Sequence, residues 1–235
     1  MKRWRTDPQT VSDMDVSVFE LDEKRITVFP GVSGSPVVYL NCFEDPSEEI
    51  DRQIGLPHSL VCISRMNWSD DLSPWRADGL SRRDPPFAGG ADAYLAWLGS
   101  AVIPAVEKGL QKPGNRIIAG YSLAGLFALY AVYQCDLFTR CVSASGSLWY
   151  PGFVDFCRAH PCSTSLTDVY LSLGDREHLT RQPVLASVRS CTEEIYQLLD
   201  ARGIRCMLEW NPGSHFVDEQ QRLCRGIRRC LGEKQ

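Results

Sequence analysis

The chain has 235 residues, 44% of them hydrophobic and 23% charged, with a formal net charge of −4. That composition suits one globular domain over 1–235, and it holds no apolar run near the ~20 residues needed to span a bilayer. The negative charge argues against a nucleic-acid partner, and the start Met1-Lys2-Arg3-Trp4-Arg5, with no apolar core behind it, is not a secretory signal, so a cytoplasmic protein with no membrane association is expected.

In chain order, residues 14–30 predict a hairpin, in which Val16, Val18, Ile26 and Val28 flank the polar turn Asp22-Glu23-Lys24. The short apolar runs 36–41 and 59–64 suit strands buried on both faces of a mainly parallel sheet. Residues 65–90, rich in Pro, Gly, Asp, Trp and Arg, form a long irregular stretch of a kind that usually carries function in a compact domain. A helix follows from about Asp92 to Gly109, interrupted at Pro104. Beyond it the alternation is regular: strands at 116–120, 140–144, 168–173 and 204–210, and helices at 123–134, 152–159, 183–201 and 217–231. Such alternation predicts an α/β fold, a mostly parallel, doubly wound sheet between two helical layers, with a site at the carboxyl ends of the strands.

Ten cysteines offer no Cys-x-x-Cys pair and no histidine at zinc-ligand spacing, so they read as reduced, mainly structural thiols and no metal site is expected. Near the C-terminus Arg222, Arg225, Arg228 and Arg229 interleave with Leu223, Ile227 and Leu231, which reads as the solvated face of an amphipathic helix.

Chemistry concentrates at Gly120-Tyr121-Ser122-Leu123-Ala124. A serine placed where a strand turns sharply into a helix has its hydroxyl lifted above the sheet, and small neighbours are needed because side chains at 120 and 124 would collide. Ala124 stands where the common pattern has glycine. Gly31-Val32-Ser33-Gly34-Ser35 has similar spacing, but Pro36 and a strand follow it, so it reads as a turn.

A serine hydroxyl needs an adjacent base. Of four histidines, His215 lies in the loop after the last strand, where this chain order places the base. His178 is its rival, while His58 and His160 read as surface residues. The acid belongs in the loop Gly174-Asp175-Arg176-Glu177, where Glu177 occupies the common position and Asp175 stays open. The oxyanion hole requires the N–H of Leu123 and a second one from Cys42 or Phe43.

These residues together resemble the α/β-hydrolase esterases related to esterase D and the siderophore esterases, of the enterobactin-hydrolysing type. The likeness covers most of the chain and rests on 38–41, Trp68 with 71–75, 89–95, the 120–125 turn, Ser145-Gly146-Ser147-Leu148-Trp149, 174–177 and 213–216. The resemblance implies a serine esterase acting on a small-molecule ester, without a metal or cofactor. It would work through an acyl-enzyme at Ser122, His215 and an acidic partner. Tyr121, Trp68, Trp75 and Trp149 are candidates for the substrate pocket, with Arg65, Arg76, Arg82 or Arg83 meeting an anionic substrate. The tryptophans could equally pack the long loop onto the domain while the arginines face water. An acyltransferase using the same residues, and a non-catalytic binding protein that keeps the fold, are the alternatives; oligomeric state is not readable.

Overall fold

The computed structural model describes residues 16–45, 48–81 and 83–233. Eight strands form one sheet: β1 Ser17–Leu21, β2 Lys24–Phe29, β3 Val37–Asn41, β4 Ser59–Ser64, β5 Arg116–Tyr121, β6 Arg140–Ala144, β7 Asp168–Gly174 and β8 Arg205–Asn211. Their order is β1-β2-β4-β3-β5-β6-β7-β8, antiparallel at β1/β2 and β2/β4 and parallel elsewhere. This is the expected α/β-hydrolase arrangement. The hairpin turn is tighter than expected. Asp22 and Glu23 both have left-handed φ (47° and 65°), and Lys24 already pairs with Leu21.

Strand alternation divides the core. Val37 and Tyr39 of β3 point to one face, where α3 Ala91–Trp97, α4 Ile103–Glu107, α5 Leu123–Gln134, α6 Phe153–Ala159 and α8 Val188–Ala201 pack. Val38 and Leu40 point to the other, against α1 Glu48–Ile54 and α9 Glu219–Leu231. Helix α5 is apolar all round and buried from Leu123 to Tyr133, so it is a core element rather than a surface helix.

Three helical details depart from the sequence expectation. Pro104 does not break its helix: a π-helical segment, Leu98–Val102, sits ahead of it, and the proline occupies the first turn of α4, where its missing N–H costs nothing. The 183–201 helix divides into α7 Pro183–Ala186 and α8, with Ser187 between them. The short helices α1 and α2 (Trp68–Asp71) have no counterpart in the expected elements.

The chain builds leftward from β3 to β4 and then returns to place β5 on the other side of β3. The carboxyl ends of β3 and β5, at Asn41 and Tyr121, therefore flank the point where the winding reverses, which is where a crevice opens in such sheets. Among the described residues no helix is long and apolar enough to cross a membrane, and all ten cysteines are free thiols.

Candidate active site

Ser122 is the single residue between β5 and α5, with φ 57° and ψ −121°. A non-glycine residue held there costs roughly 1–3 kcal/mol and persists because the surroundings fix it. Its N–H donates to Ala144 O (3.1 Å), and its carbonyl accepts from Ser147 N (2.9 Å) and Leu126 N (3.1 Å). The sharp turn explains the small residues. A Cβ on Gly120 would lie 2.2 Å from Ala124 O and 2.7 Å from Ala124 Cβ, so glycine is needed at 120 and one methyl is tolerated at 124.

His215 sits in the loop between β8 and α9. Its carbonyl accepts from the Tyr121 hydroxyl (2.6 Å), which ties the loop to the residue before Ser122. Burial pushes the Tyr121 hydroxyl up to about 12, so it stays protonated as a donor. The imidazole Nε2 lies 3.0 Å from Ser122 Oγ, and Nδ1 lies 2.8 Å from Glu177 Oε2. A carboxylate accepts only, so Nδ1 carries the proton and Nε2 is left to accept from the serine hydroxyl.

Glu177, in the loop after β7, is therefore the carboxylate that the structure brings to His215. Burial alone would raise its carboxyl. Hydrogen bonds from His215, the Gly174 N–H (2.6 Å) and the Ser145 hydroxyl (2.8 Å) outweigh that and hold it below the usual carboxylate range. Asp175 is placed elsewhere: it is exposed, and its Oδ1 accepts from Gly213 N (2.8 Å), steadying the histidine loop. His178 is half-buried and lines neither cleft beside Ser122.

The amide expected from Cys42 is already committed, donating to Ile63 O at 2.8 Å as the sheet ladder runs on past β3. The N–H groups of Phe43 and Leu123 have no acceptor among the described residues; Leu123 directly follows Ser122 and Phe43 lines the cleft with it, so this pair can meet a developing oxyanion.

Sequence reasoning placed Arg222 on a solvated face, and the structure corrects this. Arg222 is 1% exposed, and its Nη1 lies 3.1 Å from Glu177 Oε1, 3.2 Å from Ser145 Oγ and 3.4 Å from the Tyr121 hydroxyl. Its Nη2 donates to Pro212 O at 2.8 Å. The clue was the helical period: residue 222 lies one turn before Gly226, which packs on Tyr170 and Val142, so it borders the apolar stripe. Arg225 pairs with Glu209, and Arg228 with Gln53 O and Glu233. His58 also departs from expectation: it is buried, held between Leu56 O (2.7 Å) and Asp51 (3.2 Å). His160 is exposed and stacks on Phe156.

Two clefts, of about 670 and 400 Å³, meet at Ser122, His215 and Phe216. Trp68 and Tyr121 line the larger, and Trp149 the smaller. Trp75 lines neither. Its ring packs on Tyr130, Tyr150, Phe153 and Phe156, and its Nε1 donates to Pro151 O (2.9 Å), so it fastens the 65–90 segment to the domain. Of the arginines expected to meet an anionic substrate, Arg65, Arg76 and Arg83 line neither cleft. Arg65 is bound to Glu20 and Asp45, and Arg76 and Arg83 are exposed away from both; Arg82 lies outside the described residues. Among the described residues, the arginine that lines a cleft is Arg176.

The sequence model of the Esterase family, described as "Putative esterase", matches residues 50–215, more than half of the chain. The "Uncharacterized protein YbbA" of Bacillus subtilis (strain 168) is 28% identical over 185 residues, covering 72% of this chain and 73% of that one. Among solved structures, an IroE-like serine hydrolase from Shewanella oneidensis superposes with a TM-score of 0.78 at 18% identity, over 92% of this chain and 79% of its own. The siderophore hydrolase EstB from Aspergillus nidulans superposes with a TM-score of 0.65 at 18% identity, over 95% and 96%. At such identities these structures share the fold with this chain.

Proposed function

The chain belongs to the Esterase family, and on that premise we propose that it is a serine-dependent carboxylic ester hydrolase working through an acyl-enzyme. The observation that carries the reading is one continuous relay: Ser122 Oγ 3.0 Å from His215 Nε2, and His215 Nδ1 2.8 Å from Glu177.

Ser122 Oγ attacks the ester carbonyl as His215 Nε2 takes its proton. The tetrahedral oxyanion is met by the Phe43 and Leu123 N–H groups. His215 then returns the proton to the leaving alcohol, the C–O bond breaks, and the acyl group stays on Ser122. Water enters the vacated half of the site and attacks the acyl carbonyl as His215 takes its proton; His215 then gives that proton to Ser122 Oγ as the acyl–Oγ bond breaks, the acid leaves, and the free serine is restored. Glu177 stays ionised throughout, fixing the tautomer and stabilising the imidazolium. The single sheet joining β1 to β8 supports treating the chain as one domain. Short acyl esters and siderophore-type lactones are the substrate classes to compare first, the latter because of what EstB's name says of that protein.

A fluorophosphonate probe tests the chemistry. The native protein becomes labelled and Ser122→Ala does not. A folded native protein that stays unlabelled rejects the proposal.

A further inference from the structure

The two clefts at Ser122 differ in charge. The larger is bordered by Glu44, Asp45 and Glu219, with no lysine or arginine lining it among the described residues. Asp45 is already bound by Arg25 and Arg65, both at 2.9 Å, whereas Glu44 and Glu219 have no cationic partner among the described residues. The smaller cleft carries Arg176, and the one carboxylate that lines it among the described residues, Glu177, is committed to His215 and Arg222. Moving across the nucleophile, the lining thus changes from acidic to basic.

Phe43, 73% exposed, stands edge-on to Trp68 with ring centroids 5.2 Å apart, and both rings line the larger cleft beside the carboxylates. Aromatic rings next to carboxylates without a cationic partner among the described residues suit a cationic, partly apolar group.

We propose that the half of the ester lodged in the larger cleft carries a cationic group, a primary or quaternary ammonium. The inference rests on the ester-hydrolase reading of Ser122. The cation is met by Glu44 and Glu219 and by the faces of the two aromatic rings. The other half of the ester is neutral or anionic and largely apolar, placed beside Arg176. Both carboxylates are solvent-exposed, so the preference is moderate, about tenfold in kcat/KM, and salt-sensitive.

The test uses the full chain and two ester series, because either half of an ester could occupy the larger cleft. One series varies the end of the acyl chain of p-nitrophenyl esters among trimethylammonium, tert-butyl and carboxylate. The other varies the alcohol of acetate esters in the same way. The expected result is that the cationic ester exceeds its neutral isostere about tenfold in one series, less so at high salt. In the Glu44→Gln/Glu219→Gln protein that ratio falls toward one, and a ratio measured within one sample is independent of the folded fraction. Cleavage of neutral esters with no cationic preference in either series overturns the inference while leaving the esterase reading intact. So does a preference that survives the double substitution. No cleavage of any ester, with no fluorophosphonate labelling, overturns both.

Discussion

Arg222 Nη1 lies 3.1 Å from Glu177 Oε1, and the two side chains are 1% and 4% exposed. One oxygen of Glu177 thus faces a buried guanidinium while the other faces His215 Nδ1. The same Arg222 reaches Pro212 O at the start of the loop that carries His215, so one side chain from α9 contacts both Glu177 and that loop.

Removing Arg222 leaves Glu177 as a buried charge short of a partner. Arg222→Met is expected to destabilise the fold by about 3–5 kcal/mol in urea melts. In a double-mutant cycle with Glu177→Gln, the double variant should be less destabilised than the sum of the two singles, because neither partner is then left unpaired. Strict additivity would mean that the two side chains do not interact.

The two acidic residues of the 174–177 loop should separate cleanly. Glu177→Gln removes the acceptor that fixes the imidazole tautomer, and kcat is expected to fall by about 10²–10⁴-fold. Asp175→Asn keeps an oxygen for the Gly213 N–H, 2.8 Å away, so it should cost at most about 1 kcal/mol of stability and change kcat little. Steady-state rates on one p-nitrophenyl ester decide it, and equal losses would reject the assignment.

Ser122 is held at φ 57°, a conformation glycine adopts without penalty. Ser122→Gly should therefore abolish hydrolysis and yet stabilise the fold by about 1 kcal/mol relative to Ser122→Ala, read as a rise in melting temperature. The complementary pair lies nearby: Gly120→Ala should fail to give folded protein, whereas Ala124→Gly should fold and stay active.

Stability should also fall on the acid side because of Glu177. Its folded carboxyl is held below the usual value, so the ionised form binds more strongly in the native state than in the unfolded chain. That contribution is fully present above the unfolded carboxylate range and is lost as pH drops through the lower folded value. Glu177→Gln should flatten this part of the stability-versus-pH curve, and melts taken from pH 6 down to pH 3 will show it. A native and a variant curve that run parallel would argue that the Glu177 carboxyl is not held below its unfolded value.

Most elements near the site were legible in the sequence, because each obeys a local rule. Helix α5 begins at Leu123 and ends at Gln134 as expected, and β6 spans the expected Arg140–Ala144. The 120–124 turn announced itself through residue size, since backbone atoms of residue 124 approach a Cβ at 120 more closely than any side chain allows. His215 follows from chain order and loop position, which also narrow the acid to Glu177 or Asp175 without deciding between them. The tryptophans were not separable in the same way. Trp68, Trp75 and Trp149 are chemically alike, and whether a ring borders a cleft or fills a gap between helices depends on where α6 and the 65–90 segment come to rest.

The sequence by itself determined the strand-turn-helix around Ser122, the alternating order of strands and helices, and the short list of acid–base partners, because these depend on local sterics and periodicity. Only the tertiary structure decided what requires separate segments to meet. It brought Glu177 rather than Asp175 within hydrogen-bond reach of His215, left the Phe43 amide without an acceptor among the described residues while the sheet consumed that of Cys42, and buried Arg222 against Glu177 rather than in water. It also set acidic and basic linings on opposite sides of Ser122. The physical reason is the same each time: hydrogen bonds and ion pairs act over about 3 Å, and only the folded chain places those groups within that reach.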